Sequence, residues 1–183
     1  MKRRSFLKSA ASAFPIVLAE PFAVAAQPSD SPQKEIHPVL SGEDRFGKNW
    51  SRGYSRILFK NSTQETSGNF FVIEHDNLIS GGPPVHSHLE QEEWFYVMEG
   101  EVQFQIGEKR LRLKAGDSIL GPRRIPHAFS AVGAKPAKML IAFSPAGKME
   151  QFFRDTAVPN PPVQDAAFFR RYEMELVGPP LQA

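Results

Sequence analysis

Residues 86–106 read HSHLEQEEWFYVMEGEVQFQI. Trp94–Met98 and Glu101–Ile106 flank the turn at Glu99-Gly100, which predicts a β-hairpin. In the second strand Val102, Phe104 and Ile106 alternate with Glu101, Gln103 and Gln105, the pattern of a sheet with one buried face. The first strand is apolar on both faces, so its outer face is expected to be covered by a tail segment or a second subunit. Upstream, His86 and His88 stand two residues apart and project from the same face of a strand. Glu93 shares a face with Phe95 and Val97, which points the carboxylate inward.

Further strands are expected at Tyr54–Lys60, Phe70–Glu74, Leu111–Leu113, Ser118–Leu120, Ala128–Val132 and Met139–Phe143, with Gly116-Asp117 as a tight turn. Two short helices are expected to finish the chain. Met149, Phe152 and Phe153 carry the spacing of one; Phe169, Tyr172 and Leu176 carry that of the other, with Asp165 as its N-cap. These aromatic stripes read as packing surfaces. The 183 residues form one domain with extensions, and 15 Phe and 16 Pro among short apolar runs favour an all-β class. Residues 27–48 are polar and rich in Pro and Ser, a flexible linker that includes His37. The β-barrel then covers 49–147 and the helical extension 148–183.

The chain has no cysteine, which excludes disulfides, thiolate metal sites and cysteine nucleophiles. Its formal charge of +2 comes from the first 26 residues. Beyond them stand 18 basic and 19 acidic residues, so no basic surface for nucleic acid remains.

A third histidine, His127, follows in GDSILGPRRIPHAF at 116–129. His86, His88, His127 and Glu93 offer three neutral nitrogen donors and one anion. A six-coordinate divalent ion so held keeps two positions for water, dioxygen or substrate, and Fe, Mn, Ni, Co, Cu and Zn all accept such donors. Glu92 satisfies a shorter spacing from His88, but Glu93 is the one seven residues before Gly100. Glu90 and Glu92 read as solvated charges. His75 reads as a surface residue or as support for the metal ligands. Arg123 and Arg124 either meet an anionic substrate or are solvated. Phe71, Phe95, Phe104 and Phe129 are candidates for the apolar wall of a pocket.

These residues resemble the cupin superfamily, whose motifs read G-x5-H-x-H-x(3,4)-E-x6-G and G-x5-P-x-G-x2-H-x3-N. His86, His88, Glu93 and Gly100 fit the first, with the leading glycine at 81; Gly116, Pro122 and His127 fit the second. Arg124 replaces an inner glycine and Ala131 an asparagine, departures that bear on loop shape. Over roughly residues 53–181 the chain is similar to single-domain, quercetin dioxygenase-like cupins. The resemblance implies a double-stranded β-helix (jelly-roll barrel), a metal-dependent oxidoreductase of dioxygenase type for a small phenol or enol, and a homodimer. Glu93 would be ligand and general base. Because the fold hosts many chemistries, a decarboxylase, isomerase or lyase on a small acid or sugar, or a metal- or ligand-binding protein without turnover, stays open beside it.

At the start of the chain, KRRSFLK at 2–8 resembles the twin-arginine export signal. The following stretch contains Pro15, Glu20 and Pro21 and is too short and too polar for a stable membrane span; Ala23-Val24-Ala25 offers a cleavage site after Ala25 or Ala26. The resemblance implies passage through the twin-arginine machinery and a periplasmic or secreted location.

Overall fold

Short alternating runs with turns between them give sheets, and here they give two. The computed structural model describes residues 37–182. The expected signal at 1–26 and the first part of the linker lie outside the described residues. In chain order the strands are β1 (Trp50–Ser51), β2 (Arg56–Phe59), β3 (Phe71–Leu78), β4 (Pro84–His88), β5 (Glu92–Glu99), β6 (Glu101–Ile106), β7 (Lys109–Lys114), β8 (Ser118–Gly121), β9 (His127–Ala131), β10 (Ala137–Ser144) and β11 (Met174–Pro180). Helices α1 (Met149–Thr156) and α2 (Ala166–Arg171) lie between β10 and β11. One sheet has the order β1-β2-β3-β10-β5-β8 and the other β11-β4-β9-β6-β7. Every neighbouring pair is antiparallel. The fold is an all-β double-stranded β-helix with two short helices. None of the helices among the described residues is long and apolar enough to cross a membrane.

The core lies between the sheets. Along β10, Ala137, Met139, Ile141 and Phe143 are buried while the residues between them are partly exposed. Phe71 and Ile73 face them from β3, and Phe95 and Val97 from β5. On the opposite sheet, Val102 and Phe104 of β6 are buried as the alternation requires. Each such aromatic or branched side chain contributes on the order of 1.5–3 kcal/mol when fully removed from water. Gly100 closes the β5–β6 hairpin at φ 75°; a Cβ there would also approach the Ala137 Cα to 2.9 Å.

Three expectations at the edges need correction. The linker does not run free to residue 48. The Asp44 carboxylate accepts hydrogen bonds from the backbone N–H groups of Phe46, Lys48 and Phe59, and Phe46 packs edge-on against Phe59. The second terminal helix is shorter than its aromatic spacing implies. Asp165 caps it, accepting from Phe168 N at 2.7 Å, but Glu173 turns the chain at φ 62° and Leu176 falls in β11. That tail strand joins β4, so it does not cover β5. Among the described residues the outer face of β5 stays open: Trp94 is 39% and Met98 36% exposed, beside Leu120 at 48% on β8.

Candidate metal centre

Neighbouring strands bring the four selected side chains to one place. His86 and His88 lie on β4, Glu93 on β5, and His127 opens β9 directly opposite His86. All four are buried, and one potential ligand atom from each lies within 4.8 Å of the others. The sequence-based strand parity is therefore correct for both histidines and for the carboxylate. Glu92, the alternative at the shorter spacing, points away and receives the Arg123 backbone N–H and guanidinium.

Hydrogen bonds on the far side of the rings set which nitrogen faces the centre. His86 Nδ1 lies 2.9 Å from the Pro84 carbonyl and His127 Nδ1 2.9 Å from that of Ile125. A carbonyl only accepts, so both Nδ1 atoms carry hydrogen and both Nε2 atoms turn inward. Glu93 Oε2 lies 2.7 Å from His127 Nε2 and 3.0 Å from His88 Nε2. His88 is fully buried, and the contact with Glu93 lacks hydrogen-bond geometry, so both of its ring nitrogens are without a partner. Buried polar atoms left unpaired cost about 1–3 kcal/mol each, and a cation between the rings and the carboxylate would satisfy them. The donor set and its orphaned atoms fit a divalent metal ion.

Burial and mutual contact set the protonation of Glu93, His127 and His86. Burial raises the Glu93 pKa, but the His127 and His88 imidazoles at its oxygen outweigh it and hold the carboxyl well below its usual range. Burial lowers His127, yet the Glu93 carboxylate wins and the pKa is raised. His86 has no such partner; burial, with His127 and His88 beside it, drives it well below 6.5. Glu93 is thus an anion, and His86 is a neutral donor.

Beside the cluster is a small inner cavity bordered by His86 and Glu93, with about 20 Å³ of free space, enough for about one water. Of the four phenylalanines expected in its wall, Phe129 is present; Phe71, Phe95 and Phe104 pack in the core instead. Phe95 still meets His127 edge-on at 5.9 Å. The cavity's other aromatic walls include Phe143 of β10 and Phe152, Phe153 and Phe169 of the terminal helices, whose stripes thus line it as well as pack. His75 is not on the surface. It is buried against the same cavity, stacked on Tyr54, with Nδ1 3.0 Å from the Ser55 hydroxyl. Burial, then the charge of Arg52, lowers its pKa to about 3. Arg123 pairs with Glu92 and Arg124 with Glu90, so neither guanidinium faces the cavity.

Comparison with known proteins agrees with this architecture. Residues 79–143 match the Cupin domain model, a span that holds all four clustered residues. An uncharacterized protein of Methanocaldococcus jannaschii is 31% identical over 61 residues, 33% of this chain and 49% of the relative, so the chain spans about half the length of that relative. Among solved structures, an RmlC-like cupin from Shewanella frigidimarina aligns at TM-score 0.51 and 18% identity, over 63% of this chain and 96% of its own. The nucleoside dehydratase Pac13, known from Streptomyces, aligns at TM-score 0.54 and 11% identity, over 80% and 95%. Domain match and structural neighbours thus agree on a cupin-type barrel around the four clustered residues.

Proposed function

We propose that the protein is an exported metal-dependent oxidoreductase of dioxygenase type, acting on a small phenol or enol. The observation that carries the metal requirement is His88, a fully buried imidazole with both nitrogens unpartnered beside an ionised Glu93. His86, His88, Glu93 and His127 would hold the ion. A divalent ion so bound supplies a Lewis-acid position for an oxyanion and, for a redox-active metal, a place for dioxygen. The backbone carbonyls of Pro84 and Ile125 keep the imidazoles oriented. Glu93 takes the hydroxyl proton of the substrate as general base once its oxygen leaves His127. The phenylalanine wall excludes water and receives a flat apolar body. The reading includes a homodimer, for which the open face at Trp94, Met98 and Leu120 is the surface in question.

Glu93→Gln tests the assignment. The amide keeps shape and one oxygen donor, so the variant should retain metal while turnover falls by about 100-fold or more. Metal content by elemental analysis and oxygen uptake with a phenol panel are the readouts. Full turnover in the variant would remove the base role, and product formation without oxygen uptake would favour lyase or isomerase chemistry.

A further inference from the structure

The inner cavity is not the only space on this side of the barrel. Outside it lies a cavity of about 600 Å³, bordered by Pro84, Val158, Pro159, Pro161 and Pro180 among others. Arg52 and Tyr54 border both spaces, so they stand between the larger cavity and the histidine cluster. The outer volume falls within the range of small-molecule sites; the inner one holds about a water.

Among the described residues no carboxylate pairs with Arg52. Arg45, Arg56, Arg123, Arg124 and Arg154 each face a carboxylate. Arg52 instead donates to two neutral acceptors, the Thr156 hydroxyl at 2.7 Å and the Gln164 side-chain carbonyl at 2.9 Å. Its half-buried guanidinium lies over the Phe152 ring at 5.1 Å. A guanidinium forms its strongest bonds with a planar anion through two parallel N–H groups, and neutral acceptors give roughly half that strength. This is a cation at a cavity mouth with the place of its counter-ion taken by a hydroxyl and an amide.

We propose that Arg52 is the anion-binding latch of the site, and that the ligand is a small aromatic or enolic carboxylate whose carboxylate replaces Thr156 and Gln164 on the guanidinium. The proline-lined cavity holds the carboxylate end, and releasing Arg52 from Thr156 and Gln164 opens the way to the inner space. This rests on the substrate reading above and narrows it from any phenol or enol to one bearing an acid.

Calorimetric titration of the full chain, with its metal, using benzoate and its neutral counterpart benzamide, tests the latch. Benzoate should bind at least about 10-fold tighter than benzamide, and Arg52→Gln should abolish that preference without changing metal content. Gln164→Leu removes a competing acceptor and should tighten benzoate by about 2- to 5-fold; it decides the matter if Arg52→Gln does not fold. Equal binding of the two probes, or a benzoate preference that survives Arg52→Gln, would overturn the inference. A preference that depends on Arg52 in a protein purified without metal would uphold the latch while the metal reading fails. Metal without the preference would do the reverse.

Discussion

Two groups of buried histidine share this barrel and differ in one respect. His75 is held within the protein: its Nδ1 meets the Ser55 hydroxyl, its ring stacks on Tyr54 and lies nearly perpendicular to Phe129, and it stays neutral. A few residues away in space, His86, His88 and His127 converge on one carboxylate and leave His88 without any partner. Burial is the same in both places, with His75 and His127 at 1% exposure and His88 at 0%. What sets the cluster apart is that it contains an imidazole, His88, whose polar atoms nothing in the described protein satisfies.

That contrast can be broken from either side. The largest effect belongs to His88→Ala, which should lower bound metal from about one ion per chain to under about a tenth, read by elemental analysis of protein purified from its own host. His75→Ala should leave metal content alone and lower folding stability by about 2–3 kcal/mol in urea titrations, since it opens a cavity in the aromatic wall. Metal loss in His75→Ala, or retention in His88→Ala, would erase the distinction. Acid sharpens it further. The folded pKa of His75 is about 3 and the ordinary value 6.5, so the unfolded chain takes up the proton first as pH falls. Stability present above about pH 6.5 is then lost on acidification, by about 2 kcal/mol at pH 5 for this group alone, and His75→Ala should flatten that part of the profile.

The smallest effect concerns the loop before His127. Arg124 sits at φ 63° where the cupin pattern has glycine. A side chain in that region costs about 1–2 kcal/mol, and glycine's looser unfolded chain returns about 0.5–1, so Arg124→Gly should stabilise by about 0.5 kcal/mol. A calorimetric melt that shows no gain would mean that its contact with Glu90 outweighs the backbone strain.

The metal cluster was legible because period-two parity over His86–His88 and Glu93–Val97 is local, and the strands run as expected. The surface alternative for His75 fails for a related reason: the expected strand stops at Glu74, whereas β3 continues to Leu78 and puts His75 on the face of Phe71 and Ile73. One more step of the same alternation finds it. The remaining misses have no local signal. Phe152, Phe153 and Phe169 show helical spacing whether they meet core or cavity, and only the docking of α1 and α2 beside β10 decides. Arg52 stands in a turn between β1 and β2, and its acceptors are 104 and 112 residues away. Leu176 fits a helix on one side of Glu173 and a strand on the other, and the chain's reversal there settles it.

The placement of β11 reaches beyond topology. Leu176 pairs with His86 and Met174 with His88, so the strand that carries two ligands receives its outer neighbour from the far end of the polypeptide. On a ribosome, His86 and His88 emerge long before residues 174–180 exist, and their strand waits with one edge bare until synthesis has passed that point. The histidine pocket is thus a late product of biogenesis, and C-terminal truncations or tight fusions will cripple it before they disturb the hairpin at Gly100.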